Sequence, residues 1–205
     1  MSGRNVIAFD QNRRSRRLFP EESIVAMFVF LIFDAMILAG MVGGFMLTRA
    51  AAGGAWPPAG QPWFPPEYLA INTAALLISG ALVFLAARSW ENPKSRIGPL
   101  LLAAIVLGTF FVFFQGALWI GLVRQGLTVS SSQHGDLFCL IVATHGAHAV
   151  GALILLSVIW LRLKPLRDDD HEERESSSSS SFRAVRLLWY FTVGVWPVLC
   201  LCLYL

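Results

Sequence analysis

His145 and His148 stand three positions apart in ATHGAHAVGALILL, a stretch otherwise made of apolar and small residues. At that spacing both imidazoles fall on one face of a helix. Imidazole left unpaired in hydrocarbon is costly. The pair therefore calls for a metal or haem, a proton relay, or a neighbouring helix to bond to. Asp34, in FLIFDAMILAGMVGGF, raises the same question. An ionisable group inside an apolar span is a functional candidate by default. It serves either as a structural hydrogen bond to a partner helix or in proton handling or lipid contact.

The remaining inventory limits the chemistry. A membrane b-type haem takes axial histidines from two facing helices, and the only other histidines are His134 and His171. His134 opens the same segment as the pair and His171 lies in a polar stretch, so no second histidine helix exists to complete a bis-histidine haem. A metal held by His145, His148 and Asp34 as a 2-His-1-carboxylate set would need their two helices in contact. Interhelical hydrogen bonding asks for less and is the reading adopted. Gln115, in FFVFFQGALW, reads as interhelical glue, and Asn72, Thr73 and Ser79, in NTAALLISG, as bonds to a neighbour or caps. There is no phosphate loop, no nucleophile beside a base and no carboxylate pair. Cys139, Cys200 and Cys202 all sit in apolar runs, which fits neither a disulfide framework nor a zinc site.

The elements that position these residues follow from composition. The chain has 205 residues, of which 56% are hydrophobic and 14% charged, where a soluble domain carries about 25% charged residues. That is too little polar surface to coat a globule in water. Apolar runs long enough to cross a bilayer occur at about 23–47, 69–87, 97–123, 137–161 and 187–205. Backbone amides in lipid must bond within their own segment, so each run is expected to be helical. The fold class is all-α, a polytopic five-transmembrane-helix bundle. The first run exceeds the core of a secretory signal and carries Asp34, so it reads as a retained helix.

Of the 16 basic residues, all but Arg49 and Arg124 fall before the first run, between the second and third, or between the fourth and fifth. The positive-inside rule then places the amino terminus in the cytoplasm and the carboxyl terminus in the periplasm. Residues 1–22 form a basic cytoplasmic segment and 23–205 one membrane domain. Its loop 162–186, a charge run followed by six serines, is expected to be mobile. The outer loop GGAWPPAGQPWFPPEY, with its prolines and tryptophans, suits the membrane interface. Ala35, Ala39 and Gly43, the Gly40–Gly44 pair, and Ala143, Ala147 and Gly151 form small-residue ridges on which another helix is expected to pack. Nothing suggests nucleic-acid binding.

In this order the fragments resemble subunit III of the haem–copper oxidases in its short five-helix bacterial form. The acid Asp34 follows an FLxF-like run, and Trp56-Pro57-Pro58 comes next. Asn72-Thr73 with Leu76, Leu77 and Ser79 opens the second helix. Leu107-Gly108, Phe113, Gln115 and Gly116 match the third. His145-Gly146-Ala147-His148 matches the family's His-Gly-x-His, and Trp189, Phe191 and Trp196 match its last helix. Four positions depart. The family's glutamate after Gln-Gly is replaced by Ala117, Leu118 and Trp119, its last-helix histidine and aspartate are Tyr190 and Gly194, and its first-helix glutamate is Asp34.

The resemblance implies a non-catalytic subunit of a proton-pumping terminal oxidase in the bacterial inner membrane. It would have no cofactor of its own, the haems and copper being carried by the partner catalytic subunit. Its implied partners are subunits I and II, phospholipids and a respiratory supercomplex. It would stabilise the catalytic subunit and support proton uptake and lipid or oxygen access, with Asp34, Asn72, Gln115, His145, His148 and Trp196 as polar or subunit-contact residues. The alternatives are a subunit-III-like accessory protein of a nitric oxide reductase and a stand-alone membrane transporter or metal-binding protein.

Overall fold

The computed structural model describes residues 22–53, 66–89, 97–129, 133–163 and 171–204. Five helices account for almost all of them: α1 Glu22–Ala51, α2 Pro66–Ser89, α3 Ile97–Arg124, α4 Gln133–Leu163 and α5 His171–Tyr204. No strand occurs among the described residues. Each helix is at least 24 residues long. At about 1.5 Å of rise per residue that exceeds a hydrocarbon core of about 30 Å. All five are long and apolar enough to cross a membrane. The chain is a multi-pass membrane protein. The basic segment before α1, Trp56-Pro57-Pro58, Lys94 and Arg96 lie outside the described residues.

Helix α5 holds the bundle together. Helices α2, α3, α4 and α5 pack in a ring, each against the next, with α5 closing it onto α2. Helix α1 touches α4 and α5 alone among the described elements, so it lies in the groove between them, outside the ring. Two glycines permit close approach within the ring. A Cβ at Gly108 would stand 2.7 Å from the Trp189 indole and 2.8 Å from Leu153, and one at Gly80 would stand 2.9 Å from Val193. No side chain larger than hydrogen fits there without a shift. Trp189, Phe111, Leu76, Leu101 and Leu156 fill the interior.

Two expectations are corrected. The polar segment expected as a loop over 162–186 is helical from His171 onward, and Ser181, Phe182 and Val185 on it are buried. Counting apolar runs missed this because serine and charged residues continue a helix without extending a hydrophobic stretch. Apart from Gly44, which faces Leu137 on α4, the small-residue ridges do not serve as packing surfaces within this chain. Ala35, Ala39, Gly40, Gly43, Ala143 and Ala147 are exposed, and a Cβ at Gly40, Gly43 or Gly151 would meet nothing within 4 Å. Helix α1 seats instead on larger residues spaced alternately three and four apart: Met27, Leu31, Asp34, Leu38, Met41 and Phe45.

Candidate functional site: a polar seam inside the bundle

The two histidines of α4 share a face yet serve different neighbours. His148 turns toward α1, where its Nε2 lies 3.3 Å from Asp34 Oδ1. The edge of Phe30 covers this imidazole, with ring centroids 6.1 Å apart. Asp34 is 7% exposed although its helix is the outermost of the five, because position 34 falls at the centre of the buried stripe. His145, one turn away, turns inward. Its ring stacks on Trp196 at 4.9 Å and 25°, and meets Phe111 edge-on at 6.0 Å. Phe111 in turn meets Trp196 at 82°. Imidazole therefore replaces one aromatic ring in a three-ring cluster drawn from α3, α4 and α5.

From this cluster polar contacts continue along the bundle. Trp196 Nε1 donates to Thr73 Oγ1 at 3.0 Å, and that hydroxyl lies 3.7 Å from the Cys200 sulfur. Asn72 Nδ2 donates to Gln115 Oε1 at 2.9 Å, and Gln115 Nε2 donates to the Tyr204 hydroxyl at 3.4 Å. Ser79 donates to the Ala104 carbonyl at 2.7 Å. These bonds join α2 to α3, α2 to α5 and α3 to α5. Each holds a polar group that would otherwise be stranded in hydrocarbon. Asp34 Oδ2, His148 Nδ1, His145 Nε2 and Asn72 Oδ1 are buried with no hydrogen-bond partner among the described residues.

Asp34, Asn72, Gln115, His145, His148 and Trp196 are thus placed. Asp34 and His148 come together, Asn72 and Gln115 come together, and His145 and Trp196 come together. The conceivable trio of Asp34, His145 and His148 does not converge, since His145 lies flat against Trp196 while Asp34 reaches His148. Among the described residues no group of three or more His, Cys, Asp or Glu side chains could hold a metal ion. Phe111 and Tyr204 escaped the sequence reading. A phenylalanine in an FFVFF run carries no signal of which way it points. The aromatic-belt preference of tyrosine was the one hint for Tyr204, which donates no reactive group but completes the Gln115 pair.

The seam is a set of interhelical ties. The sequence matches the family described as "Cytochrome c oxidase subunit III" over residues 22–205, which takes in all five helices. The chain belongs to the cytochrome c oxidase subunit III family. It is accordingly a subunit III of a terminal oxidase, a family whose subunit III carries no cofactor of its own. The "Probable cytochrome c oxidase subunit 3" of the bacterium Nocardia farcinica is 27% identical over 182 residues, covering 86% of this chain and 84% of that protein. The cytochrome c oxidase subunit 3 of Rhizopus stolonifer is 34% identical over 186 residues, covering 86% of this chain and 61% of the other. That of Syncerus caffer is 28% identical over 185 residues, covering 87% and 67%. This subunit III thus spans most of the length of its bacterial relative and about two thirds or less of the other two.

Proposed function

We propose that this subunit III is the accessory, non-catalytic component of an oxygen-reducing complex in a bacterial cytoplasmic membrane, packed beside catalytic subunit I and subunit II. The haems and copper reside in the catalytic partner. The orientation that goes with this reading has the amino terminus in the cytoplasm, and the one-sided distribution of arginine and lysine supports it. The family match across residues 22–205 carries the proposal.

In this reading the subunit works mechanically. Asp34, Asn72, Gln115, His145, His148 and Trp196 hold the five helices in one arrangement and so keep a fixed surface for the core subunits. That fixed surface stabilises the catalytic subunit, sustains proton uptake and shapes access for phospholipid and oxygen. The seam supports this because its hydrogen bonds and its ion-pair contact run from helix to helix.

The test is purification through a tag on this chain in mild detergent. Mass spectrometry should find a haem-bearing catalytic subunit and a subunit II, and the preparation should consume oxygen. Consumption of nitric oxide in preference to oxygen would move the chain to a nitric oxide reductase. Recovery of the chain alone would remove the accessory role.

A further inference from the structure

Helix α1 is held differently from the other four. Its most apolar stretch is 11% buried, against 22% to 50% for the other helices. It contacts the bundle mainly through one stripe, Met27, Leu31, Asp34, Leu38, Met41 and Phe45, with Phe30 and Gly44 beside it. This is the alternating three-and-four spacing of a two-helix seam. Meanwhile the ring α2–α5 closes without it. The hydrogen bonds Asn72–Gln115, Ser79–Ala104, Trp196–Thr73 and Trp160–Gly98 all run between ring helices, as do the tight contacts at Gly80 and Gly108.

The energetics of separating α1 follow from the solvent. Lipid tails are as apolar as leucine, so there is no hydrophobic force between membrane helices, and exchanging side-chain neighbours for lipid costs little. Leu31, Leu38 and Phe45 therefore anchor α1 far less firmly than they would in water. What lipid cannot replace is the carboxylate–imidazole contact between Asp34 and His148. Helix α1 then rests on a largely apolar seam, with the ring contact of Phe45 to His134 toward one end and the Asp34–His148 contact further along it.

We propose that α1 is a latched outer helix: it docks into and leaves the α4–α5 groove as a unit while the α2–α5 ring stays closed, and the Asp34–His148 contact is the latch. Asp34 fixes the register of α1 on α4, as a lone polar residue does in a two-helix seam. Releasing the latch bares His145's turn of α4 and the groove beside α5 to lipid, without disturbing the Trp196 cluster.

Two engineered cysteine pairs separate the movements, in the full complex in native membranes with Cys139→Ala, Cys200→Ser and Cys202→Ala as background. Gly44→Cys with Leu137→Cys reports docking of α1, since a Cβ at Gly44 lies 3.8 Å from the Leu137 side chain. A short bifunctional thiol reagent joins that pair. Gly80→Cys with Val193→Cys reports closure of the ring, the Cβ at Gly80 lying 3.5 Å from that of Val193, which is disulfide distance. Mass spectrometry of the joined peptides measures both. Asp34→Leu and His148→Leu should each lower the first yield roughly three- to tenfold, the population shift expected of an interhelical polar contact in a membrane, and leave the second unchanged. Asp34→Asn, which retains a hydrogen-bonding group for His148, should keep most of the first yield. Unchanged docking in both leucine variants would overturn the latch, and so would a loss in Asp34→Asn as deep as in Asp34→Leu. A parallel fall of both pairs would show that α1 does not move as a separate unit.

Discussion

Asp34 Oδ1 and His148 Nε2 meet at 3.3 Å across the boundary between α1 and α4, joining the outermost helix to the ring. The contact sits in a seam whose other members, Leu31, Leu38 and Phe45, are apolar. An acid and an imidazole that would each be expensive alone in hydrocarbon are thus placed where each shields the other.

Asp34→Asn should leave assembly mostly intact, because an amide still bonds His148 and fills the same volume, and alter sustained turnover. Oxygen uptake followed over many turnovers is the measurement, with initial rate and lifetime compared against the parent complex. If neither changes, the carboxylate has no part beyond holding the helix.

His148→Leu should weaken retention of this chain in its complex. The substitution removes one interhelical polar contact, worth about 0.6–2 kcal/mol in a membrane, and strands Asp34. The ratio of this chain to the catalytic subunit after detergent purification should fall, and normal co-purification would exclude the histidine as a tether.

Gly108→Ala should destabilise the bundle itself. The added methyl carbon would lie 2.7 Å from the Trp189 ring and 2.8 Å from Leu153, and overpacking of this kind costs about 1–3 kcal/mol. Thermal unfolding in detergent should shift downward, whereas Gly40→Ala, where a Cβ meets nothing within 4 Å, should leave it in place.

Asn72→Leu and Gln115→Leu should prove coupled. The two side chains share one hydrogen bond at 2.9 Å, so either single change strands the other partner in the interior. The double variant should cost less than the sum of the singles, by about 0.5–3 kcal/mol as for residues in direct contact. Additive effects would show that the bond contributes nothing to stability.

Much of this was legible in the sequence because lipid narrows the choices. An apolar run of bilayer length leaves the backbone one option, and the five helices follow from that alone. Asp34, Asn72, Gln115, His145 and His148 stood out for a related reason, since a polar group in such a run requires a partner. Which partner was beyond reach. His145 and His148 have the same spacing to their surroundings in the sequence, yet one meets a carboxylate and the other an indole. That outcome depends on how α4 is rotated against α1 and α5. The ridges at Ala35–Gly43 and Ala143–Gly151 are not covered by this chain's own helices, because small residues permit close approach without requiring it. The start of α5 was invisible to hydropathy because its first turns are made of charged residues and serine.

Trp196 touches His145 on α4, Phe111 on α3 and Thr73 on α2. The indole that ties together three helices is carried by α5, the last of the described helices in chain order. Until α5 enters the bilayer, His145 has no ring to stack on and Thr73 receives no indole hydrogen. Asn72–Gln115 and Ser79–Ala104 tie α2 to α3 and Asp34–His148 ties α1 to α4 without it, but the aromatic junction is completed only once translation reaches this segment. A nascent chain stalled before residue 196 should accordingly be the form most open to membrane-embedded proteases.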